Sequence, residues 1–186
     1  VRDGLLRMVW GFFLKIVIAD RAAILVNQVF NYCNYYEGPT VLIAAVLFAF
    51  QVYGDFAGYS NIAIGAAQVM GFKLMKNFER PYLAVSVSDF WRRWHISLST
   101  WFRDYLYIPL GGNRGGFAKT VRNMFVVWLL TGLWHGASWN FVLWGLLLFV
   151  LLFVEKAGLG KVLERHKALG HIYMILWIPL SWLGFV

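Results

Sequence analysis

Few side chains in this 186-residue sequence can exchange protons readily near neutral pH: four histidines and one cysteine. His135 stands out, in the run Thr131-Gly-Leu-Trp-His135-Gly-Ala-Ser-Trp-Asn140. From Asn123 to Val154 there is no Asp, Glu, Lys or Arg, so His135 is the only side chain there that takes or releases a proton easily. An ionisable group isolated in so apolar a segment is costly to keep, which in a membrane marks a functional site. The chemistry it offers is proton transfer.

Two other groups come next. His95 lies in Ser88-Asp-Phe-Trp-Arg-Arg-Trp-His95-Ile-Ser, where spacing alone favours a structural histidine with a serine or backbone partner. Asp55 is the only charged residue between Val41 and Phe72 and reads either as a satisfied aspartate in a kinked span or as part of a site. No HExxH or CxxC spacing accompanies the histidines, and the lone Cys33 excludes an internal disulfide or a thiolate cluster, so no metal site is expected.

The elements that must hold these groups follow from composition. With 60% hydrophobic and 19% aromatic residues, the chain reads as an all-α polytopic membrane protein. A net charge of +8 raises the question of nucleic acid, but the cations lie between apolar runs, which is a topology signal, and no nucleic-acid partner is expected. The sequence opens on Val1 and stops inside the apolar run Ile178 to Val186, so residues 1–186 are expected to be one membrane-embedded domain lacking an N-terminal part and its C-terminal end.

The first apolar segment reaches about Phe30, interrupted by Lys15, Asp20 and Arg21, and reads as one helix or as an interfacial helix followed by a shorter span. Asn31 to Thr40 is a predicted loop. Val41 to Phe72 is too long for one straight crossing of a hydrocarbon core of about 30 Å, so tilt or a break is predicted, with Gly54 and Gly58 as the sites for a break. Asn123 to Val154 is predicted to be a hairpin turning near His135, each arm spanning roughly 17 to 24 Å. Basic loops at Lys73–Arg80, Arg114–Arg122 and Lys156–Lys167 then share the cytoplasmic side if Ser86 to Ile108 lies along the surface.

That surface segment has a helical period. Over Ser88 to Tyr107, residues Phe90, Trp91, Trp94, Leu98, Trp101, Phe102 and Tyr105 gather within roughly 120°, predicting one aromatic amphipathic helix. Ser88 or Asp89 is the expected N-cap, and Pro109 with Gly111-Gly112 the stop.

Several long runs then carry a resemblance. "RPYLAVSVSDFWRRWHISLSTWFRDYLYIPLGGNRGG", followed by "NMFVVWLLTGLWHGASWNFVLWG", resembles the membrane-bound O-acyltransferases, in the branch of bacterial alginate O-acetyltransferases and teichoic acid D-alanyl transferases. "GFFLKIVIADRAA" and "QVYGDFAGYSNIAIGAAQVMGF" resemble upstream blocks of the same branch, so the likeness runs from Gly4 to about Gly145. It departs at Leu146 to Phe149, where many relatives carry a further histidine, and at Gly54 and Ala57, where larger or hydroxyl residues are common.

The resemblance implies a ring of helices around a central funnel, with an interfacial amphipathic helix and a short hairpin bearing the catalytic histidine. It implies His135 as general base for acyl transfer to a hydroxyl and moves His95 into or beside the site, orienting the donor or stabilising an oxyanion. Trp134 and Trp139 would wall the site or anchor the interface, Gly132 and Gly136 would permit close backbone approach, and Asp55 would join the lining.

The implied donor is a co-substrate, acetyl-CoA or an acyl carrier thioester, with no tightly bound cofactor. The implied partners are the lipid bilayer, a polysaccharide or cell-envelope acceptor and periplasmic acetyl-relay proteins, at a bacterial inner membrane crossed several times. With no Ser-His-Asp or Cys-His set, transfer is expected to be direct. The alternatives are a transporter relaying protons through His135 and Asp55, or a scaffold docking partners of a polysaccharide export system.

Overall fold

In a computed structural model of the chain, residues 1–185 are described, and among them helices form with no β-strand. They divide into two compact units, residues 1–77 and 78–185. Among the described residues, three helical runs are long and apolar enough to cross a membrane: Gly38–Val69, Trp139–Arg165 and Lys167–Phe185.

The first unit comprises α1 (Arg2–Phe12), α2 (Asp20–Asn31) and α3 (Gly38–Val69). α1 and α2 are joined by a π-helical stretch, Phe13–Ala19, so the first apolar segment is one helical run carrying a local distortion. Beyond α2 the chain turns briefly, and α3 starts at Gly38 with a proline in its first turn, earlier than the predicted loop end. Of the tilt or break expected of α3, the break does not occur: its 32 residues form one helix.

The physical reason is packing. A Cβ on Gly11 would lie 2.7 Å from the carbonyl oxygen of Gly58, and one on Gly4 would lie 2.7 Å from that of Gly65. The glycines let two backbones touch, as small residues do where helices meet in lipid. The distortion falls on the other partner, in the π-helical stretch, where Lys15 reaches Asp20 at 2.8 Å and Asp55 at 2.6 Å. Asp55 is therefore held by an ion pair from a neighbouring helix, on an unkinked span.

The second unit contains α4 (Val87–Arg93), α5 (Ile96–Phe102), α6 (Phe117–His135), α7 (Trp139–Val154), α8 (Gly160–Arg165) and α9 (Lys167–Trp182). The predicted single helix over Ser88 to Tyr107 is two helices. α4 stops at Arg93, Trp94 is extended, His95 is left-handed at φ 44°, and α5 starts after it. Tertiary contact overrides the period: Trp94 is buried, stacks on Phe90 at 5.4 Å and packs tilted against Trp182 at 4.8 Å, while its backbone forms a bridge with Phe78.

The N-cap of α4 is Ser86, whose Oγ accepts from the Asp89 N–H at 3.0 Å, rather than Ser88 or Asp89. Ser88 is occupied elsewhere. The buried Glu155 carboxylate, just past α7, accepts from the Val87 N–H (2.6 Å), the Ser88 N–H (2.9 Å) and the Ser88 hydroxyl (2.7 Å). One buried carboxylate thus fastens the start of α4 to the end of α7.

α6 and α7 form the predicted hairpin, with Gly136 to Ser138 as its turn. Its first arm is longer than expected, 19 residues or about 28 Å, because helix propagates through Lys119 and Arg122 ahead of the uncharged stretch. A Cβ on Gly132 would meet the Phe141 carbonyl at 2.5 Å, and one on Gly145 the Trp128 carbonyl at 2.5 Å, so the arms are in backbone contact. Asn123, fully buried, anchors α6 by donating to the carbonyls of Leu110 (3.1 Å) and Gly112 (3.0 Å).

Candidate active site

His135 is the last residue of α6. The following Gly136 has no room for a side chain, since a Cβ would sit 2.6 Å from the Phe141 ring, and Ser138 then caps α7. The tight turn folds α7 back over the imidazole. Its ring centroid lies 4.9 Å from that of Trp144, 5.2 Å from Phe185, 5.0 Å from Trp134 and 6.2 Å from Phe141. Among the described residues neither ring nitrogen of His135 has a hydrogen-bond partner, so both are available to a ligand.

His95 arrives from the break between α4 and α5. Its Nδ1 lies 3.4 Å from Ser97 Oγ, and its ring is 6.4 Å from Trp134. Burial pushes its pKa down to about 4, and the charge that His135 can carry pushes the same way. His95 is thus neutral at pH 7, with one nitrogen able to donate and the other able to accept. Trp134 touches both imidazoles and brings the two histidines into one neighbourhood.

The remaining sequence candidates are placed unequally. Gly132 and Gly136 sit where close approach requires glycine. Trp134 is 58% exposed and Trp139, the first residue of α7, is 78% exposed, so Trp139 presents its ring outward from this chain. Asp55 belongs to the first unit, bound to Lys15.

Sequence reasoning missed Trp144, Phe141 and Phe185 around His135. For the first two a signal existed: Gly132 and Gly145 let the two arms touch, and the antiparallel pairing of 132 with 141 and 128 with 145 brings 141 to 145 against 128 to 132, beside His135. Phe185 comes from outside the hairpin and had none.

The arrangement sets an imidazole with no hydrogen-bond partner among the described residues near a second, neutral imidazole, with aromatic rings packed around the first. Among known proteins, the family model described as MBOAT, membrane-bound O-acyltransferase family, matches residues 3–163. The chain is 50% identical over 184 residues to a Pseudomonas syringae pv. tomato protein named "Probable alginate O-acetylase AlgI", covering 98% of this chain and 35% of that relative. It is 40% identical over 179 residues to the peptidoglycan O-acetyltransferase of Helicobacter pylori, covering 94% of this chain and 34% of that protein. It is also 30% identical over 173 residues to the teichoic acid D-alanyltransferase of Bacillus subtilis, covering 82% and 42%. The chain therefore spans well under half the length of these relatives.

Proposed function

The chain belongs to the membrane-bound O-acyltransferase family, and on that premise we propose that the protein it is part of moves an acyl group, an acetyl group in the first instance, onto a hydroxyl of an exported polysaccharide or cell-envelope polymer. The observation that carries this reading is His135 itself: an imidazole at the tip of a helical hairpin, walled by Trp144, Phe141 and Phe185, with no hydrogen-bond partner among the described residues. An acceptor alcohol must lose a proton as it attacks an acyl carbonyl, and a neutral imidazole in apolar surroundings suits that task. His135 takes the proton and returns it to the leaving group.

His95 serves as a neutral hydrogen-bonding group beside the reaction, positioning the donor. Trp134 spaces the two rings, Gly136 allows the turn, and Trp139 completes the lining when the rest of the protein is present. The donor is acetyl-CoA or an acyl carrier thioester, used directly and not through an acyl-enzyme. Acetyl-relay proteins on the periplasmic side are the proposed partners.

Residues 1–186 are proposed to be part of a single membrane-embedded domain crossing a bacterial inner membrane several times. The Lys73–Arg80, Arg114–Arg122 and Lys156–Lys167 segments face the cytoplasm in this scheme, in keeping with the excess of cations on that side. Replacing His135 by Ala in the full-length protein, confirming membrane insertion, and measuring O-acetylation of exported polymer tests the reading. Acetylation at the unaltered level sinks it.

A further inference from the structure

The chain between α5 and α6 folds around a cavity of about 360 Å³ whose lining includes Arg103, Tyr107, Asn113 and Arg114. That volume falls in the range of small-molecule sites. The cavity precedes α6 and His135 ends it, so the two are separated by the 19 residues of that helix, about 28 Å. It is no part of the site described above.

Its hydrogen-bonding groups are unbalanced. The carbonyl oxygens of Arg103, Tyr107, Ile108 and Gly111 each accept from a backbone N–H of the same segment, at 2.9, 2.8, 2.9 and 3.0 Å, and that of Gly112 accepts from the Asn123 amide at 3.0 Å. Gly111 and Gly112, at φ 104° and 53°, make the tight turn that uses up these carbonyls within the loop. Asn113 Oδ1 is taken as well, by the Tyr107 hydroxyl at 2.7 Å and Lys156 Nζ at 3.4 Å. Donors are left over. Among the described residues the Arg114 guanidinium and the Asn113 N–H have no partner, and Arg103 commits only Nε and Nη2, to Asp104 at 2.8 and 3.2 Å.

Charge points the same way. Arg103, Arg114 and the Lys156 that reaches Asn113 are three cations against the single carboxylate of Asp104, which leaves two positive charges at the cavity. We infer that this cavity binds a phosphate mono- or diester, whose oxygens accept from the Arg103 and Arg114 guanidinium groups and the Asn113 N–H. A guanidinium fork donates to phosphate oxygens in pairs, and a wall whose own acceptors are engaged turns few lone pairs toward an anion. Two sources carry this chemistry to a membrane surface, the head group of an anionic phospholipid and a soluble phosphate ester. Trp101 and Tyr105, both exposed on the stretch that leads into the cavity, are ring types that settle at the level of lipid head groups. The site holds whether or not His135 acts as a base.

The test uses the full-length protein in detergent and two probes, dioleoylphosphatidylglycerol followed by native mass spectrometry and coenzyme A followed by titration calorimetry. Arg103→Gln with Arg114→Gln removes two charges from the cavity at exposed positions. Lys161→Gln with Arg165→Gln removes the same charge from another exposed basic segment and serves as control. The expected result is saturable binding of at least one probe, weakened at least about tenfold by the cavity pair and within about twofold of the unaltered protein in the control. Retention of the phosphatidylglycerol alone assigns the site to a lipid head group, and of coenzyme A alone to a soluble ester; either supports the inference. Binding of neither probe, binding untouched by the cavity pair, or an equal loss in the control overturns it. Every readout is binding without turnover, so a failure of acyl transfer in His135→Ala or in the unaltered protein bears on that reading alone.

Discussion

The two units handle ionisable groups in apolar helices in opposite ways. In the first, charge is kept and matched: Lys15 sits between Asp20 and Asp55 at 2.8 and 2.6 Å, and Arg7 donates to Asn61 at 3.0 Å. In the second, charge is avoided: aromatic rings surround His135, and burial holds His95 neutral down to about pH 4. Ion pairing suits a helix interface that must only persist. A neutral imidazole suits a site that must accept a proton during each turnover and release it again.

The comparison is broken most severely at His135. Alanine there should lower acyl transfer by about 10²- to 10⁴-fold with membrane insertion intact, measured as O-acetyl content per inserted protein. A comparable loss of transfer on neutralising Lys15 would mean the ion-paired unit carries chemistry too.

Away from His135 the second unit does keep charge: Asp89 pairs with Arg93 at 3.0 Å, and the buried Glu155 carboxylate accepts from backbone and hydroxyl donors. Glu155→Ala strands the N–H groups of Val87 and Ser88, and should cost about 2–3 kcal/mol in denaturation of the detergent-solubilised protein. Gly58→Ala tests the packing side of the first unit. Its Cβ would lie 2.8 Å from the Gly11 carbonyl, so about 1–3 kcal/mol should be lost in the same measurement. Lys15→Met should cost less, below about 1 kcal/mol, because all three members of the ion-paired group are well exposed in this chain. Combining it with Asp55→Asn should recover part of that.

The smallest effect concerns pH. The folded-state pKa of His95 lies below its unfolded value, so the folded protein binds fewer protons between about 6.5 and 4. Its contribution to stability is complete above pH 6.5 and is lost as pH falls through that window. His95→Asn should remove this component of acid sensitivity, seen as a flatter dependence of unfolding temperature on pH.

The hairpin and its histidine were legible because absence of charge over Asn123 to Val154 is a strong signal and the glycines fix the turn. Other features depend on partners remote in sequence. Helical period runs unbroken through Trp94 and His95, and nothing there announces that Trp94 will leave the helix to pack on Trp182. The glycines of α3 were read as a hinge, since a single sequence does not distinguish backbone freedom from backbone contact until the facing Gly4 and Gly11 are known. Glu155 and the helix it fastens are 68 residues apart, and Lys15 and Asp55 are 40 apart. Local pattern does not reach that far.

The left-handed backbone at His95 has a consequence for reading its variants. Most side chains resist φ near 44°, whereas asparagine and glycine adopt it at little cost. Alanine or leucine at this position alters main-chain geometry and removes the imidazole together, so a lost activity would have two causes. Asparagine keeps the bend and deletes the ring alone, which makes His95→Asn the substitution whose phenotype reports on the imidazole itself.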